Sequence, residues 1–250
     1  MSNGYDLSAS QFSPEGRVFQ VEYAAKAVER SGTSIGLRGG DGVVLAVEKL
    51  VNSPLFENDS GRRIFTVDTN IGMAVAGLTA DGYALADIAR QEAANHRQQF
   101  GSPITVNHMC ERISAYMHAY TLFGSARPFG VSITLGGWDE IFGAQLFKIE
   151  PSGKSFGYFA CASGKGEQQA KTEMEKYKFV DMPLENLVQS AGRIIQLAHN
   201  EAKDKGFCFE MGLVGKDTAG LHCINPEPWL SLAVQAGLEA LHEEDEDSDD

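Results

Sequence analysis

The chain has 250 residues, 43% of them hydrophobic and 9% aromatic, and a formal net charge of −13 at pH 7. These apolar side chains suffice for the core of one sizeable domain or two small ones, so disorder is excluded for most of the chain. The negative charge argues against a surface that binds phosphate, because a nucleic-acid binder normally shows a basic patch.

Targeting and cofactor signals are weak along the whole sequence. The polar N-terminus lacks the apolar segment of a signal peptide, and no apolar run approaches the roughly 20 residues that span a bilayer. The four cysteines are not closely paired and the six histidines show no metal-ligand spacing, so neither a metal nor a cofactor is indicated. Scattered cysteines suit reduced thiols. We therefore expect a protein of the cytoplasm and nucleus without a metal or cofactor.

The N-terminal region predicts a turn followed by a helix. Proline and glycine in Ser13–Gly16 suit a turn, and apolar residues then recur at helical spacing, at Val18, Val21, Ala25 and Val28. Three aromatic residues lie off this stripe: Phe12, Phe19 and Tyr23. Aromatic side chains on several faces of a short helix indicate packing by more than one neighbour, which points to an assembly. The alternative is a helix that folds onto its own domain.

The rest of the chain alternates between strand and helix patterns. In the first half, strands are predicted at 33–37, 43–47, 64–68 and 71–76, and helices at about 80–100 and 104–123. In the second half, strands are predicted near 131–135, 144–149, 155–160, 207–214 and 221–224, and helices at about 166–179 and 184–205. Strand runs that alternate with pairs of helices suit two stacked sheets flanked by helices, an α+β fold. The pattern alone does not choose the stacking.

The C-terminal segment is strongly acidic. A weak helix is expected from about residue 236, and seven of the eight residues 243–250 are Asp or Glu. Dense like charge without apolar residues cannot bury surface, so we expect disorder there. Two roles stay open. The segment could be a docking tail for basic partners, with Ser248 suited to phosphorylation by an acid-directed kinase, or a tail that only improves solubility.

Several of these segments together resemble a known family. Tyr5-Asp6, Phe12–Arg17, Phe19–Ala24 and Lys26–Glu29 resemble the N-terminal signature of proteasome alpha-type subunits. Further stretches fall in the order of the same family: Gly72–Leu78 with Ala80-Asp81, Arg127–Gly130, Pro151–Gly153 and Lys171–Lys176. The resemblance runs nearly the whole length of the chain and is most specific in its N-terminal block.

The resemblance implies a fold and a division of the chain. The fold is a four-layer α/β/β/α sandwich of the N-terminal-nucleophile hydrolase type, with an extra N-terminal helix and an acidic tail. Residues 1–16 would form an N-terminal extension, 17–235 the alpha-type domain with its N-terminal helix, and 236–250 the acidic tail.

The same resemblance bears on catalysis, because the relatives that form the inner rings of the proteasome particle are threonine peptidases. Their nucleophile is a threonine whose free α-amino group accepts the hydroxyl proton. The nucleophile position falls on Gly32, with Thr33 one place off. The peptidases also need a lysine and an aspartate that tune this amine. The matching aspartate position falls on Glu48, and the matching lysine position falls near Arg63, whose guanidinium stays protonated. Because some 30 residues precede Thr33, its nitrogen is an amide unless the chain is cut after Gly32. We expect no catalytic residue; a hydrolase that uses Thr33 is the alternative.

A structural and regulatory role is what the family implies instead. Alpha subunits form seven-membered outer rings stacked on rings of beta subunits, and their extended N-termini meet over the pore and close it. Residues 1–10 would belong to this gate. Tyr5, Asp6, Pro14 and Tyr23 match the cluster that holds the open arrangement through hydrogen bonds between neighbouring subunits. Leu7 stands where several relatives carry arginine, which removes a charged contact.

Activators of the family dock C-terminal tails into pockets between adjacent alpha subunits, where a lysine pairs with the terminal carboxylate. The matching position is Arg63, and arginine can pair with a carboxylate bidentately. The alternative is that Arg62 and Arg63 form a solvated pair at a strand start.

The partners implied are other alpha subunits, beta subunits and activator tails, in ubiquitin-dependent and ubiquitin-independent protein degradation, with neither nucleic acid nor membrane. A free-standing binding module that uses the acidic tail is a further alternative.

Overall fold

The computed structural model describes residues 4–50, 53, 55–57, 60–199 and 206–248. The α-helices in these residues are α1 (Phe19–Glu29), α2 (Thr79–Phe100), α3 (Val106–Ala119), α4 (Glu167–Met174), α5 (Leu184–Ala198) and α6 (Trp229–Ser248). The strands are β1 (Ser34–Arg38), β2 (Gly42–Leu50), β3 (Ile64–Asp68), β4 (Ile71–Gly77), β5 (Val131–Asp139), β6 (Gly143–Ile149), β7 (Ser155–Gly157), β8 (Ala160–Ser163), β9 (Phe207–Gly215) and β10 (Cys223–Ile224).

The strands form two five-stranded antiparallel sheets. Sheet A has the strand order β10-β9-β2-β1-β8, and sheet B has the order β3-β4-β5-β6-β7. The β1–β2 hairpin sets Leu37 opposite Val44 in sheet A. In sheet B, β4 and β5 set Val75 opposite Ile133, although two helices separate these strands in the chain. Both predicted hairpins, β1–β2 and β3–β4, are present. The helices α2 and α3 connect β4 to β5, which are neighbours in sheet B.

Three hydrophobic clusters hold the layers together. One joins sheet B to α2 and α3 and includes Met73, Leu85, Met109, Ile113 and Leu135. A second joins sheet A to α4, α5 and α6 and includes Leu37, Val44, Leu187, Ile194 and Ala233. The third lies between the two sheets and includes Val43, Leu45, Ile64, Leu146 and Val214. The four-layer α/β/β/α sandwich is thereby confirmed. Because β2 and β4 are covered on both faces, they are apolar and buried along nearly their whole length.

The single strand predicted at 155–160 is wrong, because the chain forms two strands there in different sheets. β7 pairs with β6 in sheet B, and β8 pairs with β1 in sheet A. At the crossing, Tyr158 donates its N–H to Leu146 O at 2.9 Å and Phe159 O accepts from the N–H of Arg38 at 2.8 Å. The alternation of side chains along a strand carries no information about which sheet edge the strand joins.

Three helices end earlier than predicted. α3 stops at Ala119 rather than near 123. α4 stops at Met174 rather than near 179, and Phe179 reaches the second cluster through a segment that is not helical. Phe179 is only 6% exposed, so the apolar signal at this position reflected packing and not helix. α5 ends at Ala198, and the predicted continuation through 200–205 lies outside the described residues.

The expected disorder of the C-terminal tail is also corrected. α6 begins at Trp229, runs through the predicted boundary at 235/236, and continues to Ser248. The helix packs closely on α5, since a Cβ added at Gly192 would lie 1.8 Å from Ala233 O. Arg193 pairs with Glu243 at 2.5 Å. Glutamate is a good helix former, so a packed helix that is already nucleated continues into the acidic run.

Candidate functional site

Thr33, the candidate nucleophile, is fully buried at the start of sheet A. Its backbone N–H donates to Glu48 Oε2 at 2.8 Å, and its carbonyl oxygen accepts from the N–H of Glu48 at 2.7 Å. Its hydroxyl Oγ1 accepts from the N–H of Gly166 at 3.2 Å. The nitrogen of Thr33 is thus a hydrogen-bonded amide, and an amide N–H cannot take up a proton as the amine of a threonine peptidase does.

Gly32, which occupies the nucleophile position, has no room for a side chain. A Cβ built on Gly32 would lie 2.1 Å from the backbone oxygen of Glu48. That oxygen belongs to β2, in the middle of sheet A, and it cannot move without disturbing the ladder. The position that carries the hydroxyl in the peptidase relatives is therefore closed here.

Glu48 lies at the centre of a buried polar network that the sequence alone did not reveal. Its Oε1 is 2.6 Å from His199 Nδ1 and 3.8 Å from Lys165 Nζ. The Glu48 side chain is 0% exposed and that of His199 4% exposed. A buried carboxylate needs such partners because an unpaired charge in the interior is costly. The arrangement satisfies the carboxylate and ties α5 to sheet A.

Arg63 stands at the start of β3 and is held by its surroundings. Its Nη1 donates to Gly77 O at 2.6 Å, and its backbone N–H donates to Glu210 Oε2 at 3.0 Å. Burial lowers the pKa of the Arg63 guanidinium below its ordinary value. Arg63 is half-buried and Arg62 is exposed, so the choice between a docking residue and a solvated arginine pair stays a prediction.

Arg63 lines a cavity of about 780 Å³ between α1, the ends of β2 and β4, and residues 56, 57, 60 and 61. The lining combines apolar and charged side chains, among them Ala27, Arg30, Glu48, Lys49, Leu50, Phe56, Glu57 and Leu78. Lys49 donates to Ser60 O at 2.7 Å. Phe56 and Leu78 are 60% and 46% exposed. Cations beside exposed apolar side chains suit the carboxylate end of an apolar peptide.

The four predicted gate residues lie near one another in sequence, but no hydrogen bond joins their side chains within the described chain. Tyr23 is 42% exposed on α1 and stacks on Phe19 at a centroid distance of 6.3 Å. Pro14 is exposed and Tyr5 half-buried. The backbone oxygen of Asp6 accepts from Gln20 Nε2. Asp6 Oδ1 is shielded from solvent and has no hydrogen-bond partner among the described residues.

The N-terminal segment packs partly on its own chain. Ala9 is 2% exposed, whereas Leu7 is 83% exposed. A Cβ at Gly124 would lie 2.9 Å from Ser8 Oγ, so the chain passes closely over this glycine. Residues 8–10 of the predicted gate are therefore anchored, whereas the Leu7 side chain before them is exposed.

Two of the sequence stretches quoted above meet in an ion pair. Asp81 at the start of α2 accepts from both Nη atoms of Arg127 at 2.8 Å and from the N–H of Gly130 at 2.9 Å. The Arg127 hydrogen bond, followed by that from Gly130, holds the pKa of the Asp81 carboxyl below its usual value against the effect of burial. The pair fastens the start of α2 to the strand start of β5.

The described residues offer neither a metal site nor a helical membrane span. Within them, no three His, Cys, Asp or Glu side chains converge as metal ligands would. No helix of the described chain combines the length and apolarity needed to cross a bilayer. Ser248, the predicted phosphorylation site, is the last residue of α6.

Comparisons with known proteins agree with this geometry. The family described as proteasome subunit matches residues 28–214, and the N-terminal signature of A-type proteasome subunits matches residues 5–27. Proteasome subunit alpha type-3 of Drosophila melanogaster is 63% identical over 249 residues, which is 100% of this chain and 98% of the relative. The protein of the same name from Spinacia oleracea is 45% identical, covering 99% of both chains. A probable proteasome subunit alpha type-7 of Saccharomyces cerevisiae is 44% identical over 98% of this chain and 86% of the relative.

The opening residues 5–10 and the acidic C-terminus also predicted a particular likeness within the family, to alpha type-3, which systematic numbering calls alpha-7. These identities confirm it. The chain belongs to the proteasome subunit family and is of its alpha type, similar over its whole length to the alpha type-3 subunits.

Proposed function

We propose that this chain is a non-catalytic structural and gating subunit of the outer alpha ring of the proteasome core particle. The observation that carries the proposal is the buried amide of Thr33, which donates to Glu48 and follows an alpha-type signature at residues 5–27. The nucleophile position, Gly32, has no room for a side chain that carries a hydroxyl. The nitrogen of Thr33 is an amide and not the free amine that a threonine peptidase uses as its base.

In this ring residues 1–10 act in the gate that controls substrate access to the pore. The orphaned Asp6 Oδ1 supports this role, because a shielded carboxylate oxygen normally has a hydrogen-bond partner. A neighbouring subunit supplies that partner in the assembled ring, where Tyr5, Asp6, Pro14 and Tyr23 hold the open arrangement. The exposed ring of Tyr23 is free to contact the same neighbour.

The cavity at Arg63 receives the C-terminal tails of activators. The guanidinium carries five N–H donors, and the bond to Gly77 O uses Nη1, so other N–H groups of the same guanidinium are the candidates to donate to an incoming carboxylate. Exposed apolar side chains at Phe56 and Leu78 provide the wall for the residues that precede it. The neighbouring alpha subunit completes the pocket.

The partners are other alpha subunits, beta subunits and activator tails, and the particle degrades proteins with or without ubiquitin in the cytoplasm and nucleus. The unpaired thiols of Cys110, Cys161, Cys208 and Cys223 support a reducing compartment.

Native-gel and mass analysis of the tagged protein, purified from its own cells, tests the proposal. We expect recovery in a particle of several hundred kilodaltons together with alpha and beta subunits, with residues 5–27 retained. A free chain near 27.1 kDa would favour the binding module that uses the acidic tail. A mature chain that begins at Thr33 would favour the hydrolase.

A further inference from the structure

Glu210 is a buried carboxylate at the edge of the sandwich, beside the cavity of Arg63. It lies on β9 in sheet A and is 5% exposed. Its Oε2 accepts from the N–H of Arg63 at 3.0 Å, and its Oε1 faces the N–H of Ile64 at 3.4 Å. One side chain of sheet A thus binds the backbone amides of Arg63 and Ile64, where β3, the edge strand of sheet B, begins.

Arg63 is restrained at three points. Its N–H is held by Glu210, its carbonyl oxygen accepts from the N–H of Val75 at 3.0 Å, and its Nη1 donates to Gly77 O at 2.6 Å. The bond to Val75 extends the pairing of β3 and β4 by one residue, and the bond to Gly77 orients the guanidinium. Glu210 therefore sets the backbone from which that guanidinium extends.

The way in which Glu210 binds leaves the charge of Arg63 available. A carboxylate that chelated the guanidinium would neutralise it and occupy the donors that a ligand needs. Here the carboxylate binds main-chain N–H groups instead. Burial raises the pKa of Glu210 above its usual value, against the N–H groups of Arg63 and Ile64 and the cations Lys49 and Arg62, which lower it. Glu210 lines a recess that it shares with Lys49, Arg62, Cys208 and Asn225.

We propose that Glu210 is a positioning residue, which holds Arg63 at the orientation needed to bind the terminal carboxylate of a docking peptide. This inference rests on the proposed docking function of the cavity. Glu210 does not touch the peptide; it fixes the main chain of Arg63 and so preserves the alignment of the guanidinium. Misalignment would weaken the charge-assisted hydrogen bonds between the guanidinium and the carboxylate, which depend on geometry.

Core particles that contain variants of this chain provide the test. The probes are a short synthetic peptide that carries an apolar penultimate residue, a photo-cross-linker and a free C-terminal carboxylate, and the same peptide as its C-terminal amide. Labelling of this subunit, identified by mass, gives the relative affinity for the two peptides at this pocket alone. The ratio of labelling by the carboxylate peptide to labelling by the amide peptide reports recognition of the carboxylate. A general loss of stability would not change this ratio in particles that remain intact.

For the natural chain we expect a preference of about tenfold for the carboxylate peptide, as one charge-assisted hydrogen bond implies. Glu210→Met removes both acceptors and should reduce the preference to about twofold or less. Glu210→Gln keeps one acceptor oxygen and should give an intermediate value. Glu175→Gln, at an exposed position after α4, should leave the preference unchanged.

The outcomes separate this inference from the function on which it rests. If Arg63→Ala abolishes the preference while Glu210→Met and Glu210→Gln retain it in full, Glu210 is only a structural clamp and the inference is overturned. If the natural chain shows no preference and Arg63→Ala labels equally, docking at this cavity fails and the inference falls with it. Should Glu210→Met not assemble, Glu210→Gln decides, because an unchanged ratio there overturns the positioning role.

Discussion

The carboxylate of Asp81 forms two hydrogen bonds of 2.8 Å with the guanidinium of Arg127, which follows it by 46 residues. The Asp81 side chain is 10% exposed and that of Arg127 61% exposed. A third hydrogen bond comes from the N–H of Gly130. This bidentate contact joins the start of α2 to the start of β5, two regions that are far apart in the sequence.

Asp81→Asn should lower the free energy of unfolding at neutral pH by about 1–2 kcal/mol, a value reduced by the exposure of Arg127. Because the pKa of Asp81 is lowered in the folded state, its stabilising effect is present above the pKa of the unfolded chain. It is lost as the pH falls through the folded pKa. Urea denaturation across the acid range should show the two proteins converging. A constant difference would contradict this, and Asp87→Asn on the exposed face of α2 is the control.

Gly32→Ala should destabilise the chain by more than about 2 kcal/mol, because its Cβ would lie 2.1 Å from Glu48 O in a central strand. Gly32→Thr should do at least as much and should confer no peptide hydrolysis. Gly40→Ala is the matched control, since its Cβ would make an ordinary contact of 3.7 Å with Asp181. Thermal melting checks the pair. An unchanged melting temperature for Gly32→Ala would show that the position is open after all.

His222 should make the protein sensitive to mild acid. Burial lowers the pKa of His222 from 6.5 to about 4. Its Nδ1 bonds Thr66 Oγ1 at 2.8 Å, and its Nε2 has no partner among the described residues. Because the unfolded chain binds the proton more tightly, the free energy of unfolding falls as the pH drops from about 6.5 to about 4, by at most about 3 kcal/mol.

His222→Gln cannot be protonated and retains an acceptor for Thr66, so the variant should lose this part of the pH dependence. The measurement is the free energy of unfolding by urea at several pH values between about 7 and 4. The exposed His242→Gln serves as the control. Equal pH slopes for His222→Gln and the natural chain would refute the assignment.

Tyr23→Ala should impair gate opening by activators while core particles still assemble. Tyr23→Phe isolates the hydroxyl, because the ring keeps its stacking on Phe19. Loss of one neutral hydrogen bond, worth about 0.5–1.5 kcal/mol, should lower activator-stimulated peptide hydrolysis about twofold or more. Tyr158→Phe, in the connection between β7 and β8, is the control. Full stimulation of an assembled Tyr23→Ala particle would remove Tyr23 from the gate.

Much of the architecture was predictable because it depends on local patterns. The apolar spacing of α5, with Leu187, Ala191 and Ile194 on one face, and the hairpins of sheet B follow from which side of an element is buried. The N-terminal signature can also be read directly from residue order. The prediction for the tail was wrong because acidic composition does not reveal the packing of α6 on Gly192.

The contacts that make the sites could not be read in this way. Residue order and periodicity determined the family, the elements and the faces that they bury. Only the tertiary structure brought His199 to Glu48 across 151 residues and Glu210 to Arg63 across 147, and sent β7 and β8 to different sheets. The physical reason is that a local sequence pattern indicates whether a side chain is buried. Which residue that side chain contacts depends on how strands distant in sequence are paired and stacked.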